Sequence, residues 1–290
     1  MTEIISEFTE ISDRYDAIFC DLWGCLHDGR RPYAEAVSAL KSYSERGGKV
    51  VLLTNSPRLH DAVAKQLAQI GVPSDIWHLI VSSGDAAQDA LFAGRAGKRV
   101  FHIGPPINLK FFEPPEGIES SEIERVPSEE AEGFVCTGLF DEENDKLEDY
   151  LPILEKGLRA GFKLLCVNPD IVVDRGAERF YCAGAIARMY ESIGGESLYY
   201  GKPHRRIYHL ALRRLTALVP GTRSDRIVCV GDGISTDILG AESQNLDCVF
   251  VSGGLAAVET GTEFSPDPLK LKRYLDEHRA FPKYAIGRLR

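Results

Sequence analysis

The sequence predicts an α/β protein: a mostly parallel sheet, doubly wound by helices, into which a second α/β module is inserted. Three observations carry this. Seven short apolar, β-branched runs alternate with longer amphipathic stretches, which is the rhythm of strand, crossover helix and parallel strand. Several of these runs hand an acid or a hydroxyl to the following turn, and the carboxyl ends of strands are where open parallel sheets bind ligands. Finally, the stretch from Ile107 to Ser128 is rich in Pro, Glu and Ser, a composition break that marks an inserted module or a long surface excursion.

Taken in order, Tyr15 to Cys20 is the first run. Tyr33 to Arg46 follows as a helix, with Ala36, Val37, Leu40 and Tyr43 at three- and four-residue spacing and Gly47-Gly48 as its stop. Lys49 to Thr54 is the next strand, followed by Lys98 to Ile103, Gly133 to Thr137, Lys163 to Val167, Arg226 to Val230 and Asp247 to Val251. An acidic turn, DEENDKLED, lies between the fourth and fifth runs, and YCAGAIARMY starts a helix at a small-residue turn. The chain shows no internal repeat. These features divide it into a discontinuous core, residues 1–85 and 200–290, and an insertion, residues 86–199.

At 290 residues the chain is about twice a typical single-domain length, which excludes a peptide hormone or a disulfide-stapled mini-fold. Its formal charge is 34 − 43 = −9, with both signs mixed along the chain, so nucleic acid is not an expected partner. The apolar runs are far shorter than the ~20 residues of a membrane helix. MTEIISEF carries two acids and no basic or sustained apolar region, so no secretory signal is read there and a cytoplasmic location is expected. Seven cysteines form an odd set without a Cys-x-x-Cys pair, most of them inside apolar runs; buried reduced thiols are expected, not a zinc site or a disulfide framework.

Four constellations carry the chemistry. In AIFCDLWGCLHDG the first strand delivers Asp21 to a Gly-containing turn, an acid at a ligand-binding position or a turn cap. In RIVCVGDGISTDILGA, Asp232 follows a buried strand and Asp237 lies five residues later near a helix start, so both carboxylates can face one divalent cation; a capped loop is the bland reading. The calcium-loop pattern is absent. KVVLLTNSPR ends a strand on Thr54 and Asn55, a hydroxyl and an amide able to hold a phosphoryl oxygen or simply to cap a helix. YYGKPHRR fixes Lys202 between Gly201 and Pro203, as a placed positive charge or a surface turn lysine. No GxGxxG or GxxxxGK[ST] string appears, so dinucleotide and P-loop functions have no support.

The order Asp21, Thr54, Lys202, then Asp232 and Asp237 resembles the four-motif signature of the haloacid dehalogenase (HAD) superfamily, over essentially the whole chain. LLTNSPR, VNPD, GKP and the long insertion between the second and third motifs look like its class IIA branch, the sugar-phosphatase and nitrophenyl-phosphatase type. The resemblance implies a Rossmann-like core with an α/β cap over the active site. It implies Asp21 as nucleophile, Thr54 and Lys202 as holders of the phosphoryl group, and Mg²⁺ bound by Asp21, the Trp23 backbone carbonyl and Asp232, with Asp237 a direct or outer partner. In LLCVNPD it assigns Asn168 and Asp170 to the cap face that selects substrate, although Asn-Pro-Asp is also an ordinary turn. Asn55 joins them as a substrate contact. A small phosphorylated metabolite is the implied substrate, and the cap is the surface through which a homo-oligomer would assemble. The chemistry agrees with the resemblance, because phosphomonoester hydrolysis needs an in-line nucleophile, neutralised equatorial oxygens and a metal.

One departure stands out. Phosphatases of this superfamily usually carry a second Asp two residues after the nucleophile as general acid and base; here the residue is Trp23. Indole does not titrate near neutrality, so a function worth roughly 10²–10⁴ in rate is missing. His27 is the nearest substitute, with an exposed HDG turn as the bland alternative. Two further readings stay open: a non-hydrolytic phosphometabolite-binding or regulatory protein, and another C–X bond hydrolase such as a dehalogenase. Asp232 and Asp237 argue against the metal-free dehalogenase.

Overall fold

Seven strands form the larger sheet, in the order Glu3–Ile4, Tyr284–Ile286, Asp247–Val251, Ile227–Gly231, Ala17–Cys20, Lys49–Thr54 and Leu79–Ser82. The pairs from Glu3–Ile4 to Lys49–Thr54 are all parallel. Ile18, Val50, Val51, Leu52, Val228, Val249 and Phe250 are fully buried, because helices cover both faces of a parallel sheet; this is why the strands read as continuous apolar runs without alternation. This computed structural model describes residues 2–115, 122–175 and 178–290. The chain forms two units, Met1–Thr54 with Ala64–Val81 and Tyr208–Arg290, and Asn55–Val63 with Ser82–Ile207.

In the first unit the chain order reverses beside Ala17–Cys20. The next strands in sequence, Lys49–Thr54 and Leu79–Ser82, lie on one side, and the late strands Ile227–Gly231 and Asp247–Val251 lie on the other. Cys20 faces Leu52 across one ladder and Val230 across the other. Such a reversal opens a crevice at the carboxyl ends of the two diverging strands. The helix expected from Tyr33 to Arg46 spans Ala34–Glu45 and buries Ala36, Leu40 and Tyr43, and the Tyr43 hydroxyl donates to the Tyr15 carbonyl at 2.9 Å. The helix expected to start at Asp237 instead opens with one wide π turn, Ile234–Ile238, before the short helix Leu239–Ser243.

The second unit has its own five-stranded parallel sheet, ordered Glu196–Tyr199, Lys163–Cys166, Gly133–Cys136, Arg99–Ile103 and Glu124–Arg125. Phe134, Leu164, Cys166, Ile103, Leu154, Ile186 and Tyr190 are buried together in its core. An antiparallel ribbon pairs Val172–Arg175 with Glu178–Tyr181. Within the stretch Ile107 to Ser128, a 3-10 helix covers Pro106–Phe112 and buries Phe111, and Glu124–Arg125 forms the sheet edge; residues 116–121 of that stretch lie outside the described residues. None of the seven cysteines is in a disulfide, and all are buried. Among the described residues no helix is long and apolar enough to cross a membrane.

Candidate active site

Asp21 is the first residue beyond Ala17–Cys20, and its N–H donates to the Val230 carbonyl at 2.8 Å. The ladder therefore extends by one residue and delivers the carboxylate from a fixed point. Asp232 follows the adjacent strand Ile227–Gly231, so both acids leave neighbouring strands at the reversal of chain order. They are buried, at 8% and 5% exposure. The chain after Asp21 doubles back at once: Leu26 N–H and His27 N–H both donate to the Leu22 carbonyl, at 2.8 and 3.1 Å, and Gly24 N–H donates to the His27 carbonyl at 3.0 Å.

This turn closes onto Asp232. Gly24 has φ +74°, and a Cβ there would lie 2.0 Å from Asp232 Oδ2; at Gly254 a Cβ would lie 2.1 Å from the same atom. Only glycine admits the carboxylate so close to backbone on both sides. Leu255 N–H donates to Asp232 Oδ2 at 3.0 Å. One ligand atom each of Asp21, Cys25 and Asp232 lie within 4.8 Å of one another, all from buried residues. Two carboxylates at this separation in a buried setting repel strongly, and a divalent cation is the direct way to offset them. Oxygen donors from two buried carboxylates suit a hard divalent cation such as Mg²⁺.

Asp237 lies outside that trio. Its Oδ2 accepts from Gly233 N–H at 3.1 Å and from the Thr236 hydroxyl at 3.4 Å, and it thereby holds the loop that carries Asp232. Cys25 was expected only as a buried thiol, yet its sulfur joins the carboxylates. Burial, then Asp232 and Asp21, push its pKa well above the ordinary thiol value. The signal available in sequence was a cysteine four residues after the strand-end acid, inside a turn tight enough to bring it back.

Trp23 is half-buried, edge-on to the His27 ring with centroids 5.1 Å apart. The turn expected at His27-Asp28-Gly29 is present: Asp28 Oδ1 accepts from Arg30 N–H and Arg31 N–H, both at 2.9 Å. His27 is not on the surface, as that turn was expected to leave it, but 1% exposed. Its Nδ1 accepts from Gly29 N–H at 3.0 Å, which assigns the ring proton to Nε2. Burial, opposed by Asp28, lowers its pKa to about 4. At neutral pH the ring has no second proton to give and is a weak base.

In the second unit, Asn55 sits one residue beyond the strand that ends on the buried Thr54. Its Oδ1 accepts from Lys202 N–H at 2.7 Å, while its Nδ2 donates to the Lys202 carbonyl at 3.1 Å and to Asp170 Oδ1 at 2.8 Å. Both amide protons are thus engaged, so Asn55 clamps the lysine loop and Asp170 where the sequence had suggested a phosphoryl contact. Lys202 is 3% exposed and no surface lysine. Asn168 Oδ1 accepts from Asp170 N–H at 3.0 Å, an Asx turn that sets the direction of Asp170.

A haloacid dehalogenase-like hydrolase model matches residues 18–113, and a HAD-hydrolase-like model matches residues 199–275. The structure of a haloacid dehalogenase-like family hydrolase from Brucella suis 1330 is 36% identical, with a TM-score of 0.86, covering 99% of this chain and 100% of that one. Ribonucleotide monophosphatase NagD from Escherichia coli K12 is 25% identical over 252 residues, 83% of this chain and 89% of NagD. A glycerol phosphate phosphatase from Mycobacterium tuberculosis, solved in complex with magnesium, shares the fold at TM-score 0.65 and 21% identity, covering 90% of this chain and 74% of its own.

Proposed function

Because the chain belongs to the haloacid dehalogenase-like hydrolases, in their class IIA branch, we propose that it is a Mg²⁺-dependent phosphoric monoester hydrolase that acts on a small phosphorylated metabolite through an aspartyl-phosphate at Asp21. The observation that carries this reading is the buried approach of Asp21 and Asp232 at the carboxyl ends of two adjacent strands. The phosphatase names of relatives such as NagD support the same class of reaction.

In this reading an Asp21 carboxylate oxygen attacks phosphorus in line, an acyl-phosphate bond forms, and the ester P–O bond breaks. The Lys202 ammonium and the Thr54 hydroxyl hold the equatorial oxygens, the lysine with its backbone clamped by Asn55. Mg²⁺, held by Asp21, Asp232 and the Trp23 carbonyl with Asp237 behind them, would neutralise charge on the transferring group. Asp170 and Asn168 belong to the segment, residues 86–199, that selects the leaving group. His27 supports the turn by packing against Trp23 and takes no part in proton transfer.

A second reading is favoured by one specific observation: neither Trp23 nor the neutral, buried His27 offers the proton that an alkoxide leaving group needs. A phosphometabolite-binding protein with little turnover would have this site. A panel of phosphorylated metabolites assayed with Mg²⁺ and again with a chelator separates the two. Chelator-sensitive release of phosphate supports the hydrolase; saturable binding without release supports the binder. Beryllofluoride should attach at Asp21 only when Mg²⁺ is present, and attachment without it would overturn the metal assignment.

A further inference from the structure

The sulfur of Cys25 faces two carboxylates, a surrounding unlike that of the other thiols whose contacts are clear. Cys20, Cys136 and Cys166 turn their Sγ to backbone carbonyls, at 3.2, 3.7 and 3.3 Å. Cys25, 1% exposed, instead points its Sγ at Asp21 and Asp232, with all three ligand atoms within 4.8 Å of one another. The backbone turn that returns Leu26 and His27 to the Leu22 carbonyl holds the main chain at Cys25 in place.

Mg²⁺ takes oxygen ligands and has little use for a thiol, whereas Zn²⁺, Cd²⁺ and Co²⁺ bind thiolate readily. With metal–sulfur and metal–oxygen bonds of about 2.3 and 2.1 Å, donors to one tetrahedral ion sit roughly 3.6 Å apart. Donors already within 4.8 Å reach that spacing by side-chain adjustments of about an ångström.

We propose that Cys25 gives this cation centre a second binding mode: thiophilic divalent ions bind through Cys25 Sγ together with Asp21 and Asp232, and in doing so compete with Mg²⁺ and block phosphoryl transfer. The S–H proton leaves to bulk water as the metal–sulfur bond forms, and no electron is transferred. The inference rests on the reading of Asp21 and Asp232 as the metal centre. It also gives a consequence for the reaction, since an Asp21 oxygen bound tightly beside a thiolate is withdrawn from attack on phosphorus.

The test titrates Cd²⁺ and Co²⁺ into the metal-free, full-length protein and follows the thiolate-to-metal charge-transfer band in the near ultraviolet. A band should grow in the wild type, shrink competitively as Mg²⁺ is added, and vanish in Cys25→Ser. That variant should lose at least about tenfold in Cd²⁺ affinity while its calorimetric Mg²⁺ affinity moves by less than about threefold. Asp232→Asn, which keeps all the cysteines, should also lose the band, and it decides the matter should Cys25→Ser fail to fold. A band that persists in either variant, or no band in a wild type that binds Mg²⁺, overturns the proposal. A wild type that binds neither Mg²⁺ nor Cd²⁺ overturns the metal-centre reading itself.

Discussion

The amide of Asn55 is the perturbation with the most to reveal. It closes three hydrogen bonds, at 2.7, 2.8 and 3.1 Å, and is 3% exposed. At about 1 kcal/mol for each bond to the Lys202 backbone and about 2 kcal/mol for the bond to the Asp170 carboxylate, Asn55→Ala should free the loop by about 3–4 kcal/mol. The Lys202 N–H is then left without its acceptor, so its hydrogen exchange should accelerate by about two orders of magnitude. If the clamp positions the lysine for phosphoryl binding, kcat/KM should fall by about 10²-fold, the cost of roughly an ångström of misplacement. Asn55→Asp is the sharper variant, because it keeps the shape, removes both donors and sets a carboxylate against Asp170. Hydrogen exchange read by mass spectrometry and steady-state kinetics on an aryl phosphate measure both effects. The reasoning fails if Lys202→Ala is inactive while Asn55→Ala stays within twofold of wild type, or if Lys202 exchange does not change.

Asp21→Asn should abolish turnover while leaving the melting transition in place, because an amide matches the carboxylate in size and is a far weaker nucleophile; full activity would refute the covalent route. Asp232→Ala should lose Mg²⁺ affinity and activity together, measured by calorimetry and rate, whereas Asp237→Ala should be milder because its carboxylate holds Gly233 and Thr236. Stability should fall between pH 6.5 and 4: burial holds His27 and His102 at pKa values of about 4, so in that window the unfolded chain takes up protons that the folded chain refuses. Each should contribute about 2 kcal/mol of destabilisation between pH 7 and 5, and urea melts of His27→Asn and His102→Asn should show a correspondingly flatter acid limb. Trp23→Asp should raise turnover on both classes by supplying a base for the water that hydrolyses the aspartyl-phosphate, and more on alkyl than on aryl phosphates because only the former also need a proton at the leaving oxygen; no gain on either would remove the acid–base explanation.

The parts of the fold that were legible were those with a long local signature. Each of the seven apolar runs is a strand, and the helix at Ala34–Glu45 stands where its spacing put it. Glu3–Ile4 and Tyr284–Ile286 were not legible, since two and three residues are too few for a period. Glu196–Tyr199 was missed because only half of its residues are apolar, and it pairs along one edge with Lys163–Cys166. The site divides in the same way. Asp21 and Asp232 each announce themselves by following a buried strand. The Asn55 clamp joins residues 147 and 115 positions apart, and no local pattern encodes such a distance. Cys25 needed the turn geometry, and His27 the burial, before either could be read.

Trp23 matters for what it removes as well as for what it fails to supply. An acid two residues after Asp21 would add a third carboxylate close to a pair already buried together, and each further buried anion raises the cost of the metal-free state. The indole fills the position with an apolar body packed on His27 and close to Gly29, where even a Cβ would lie 2.3 Å from the ring. The two halves of the proposed reaction respond differently to this exchange. Attack by a carboxylate oxygen needs no base, and a good leaving group departs without an acid. Hydrolysis of the aspartyl-phosphate requires an activated water, and that step loses the factor of roughly 10²–10⁴ a positioned base provides. Phosphoenzyme should therefore accumulate as a burst and decay slowly, and its decay rate is the quantity that divides a hydrolase from a protein that captures a phosphoryl group and keeps it.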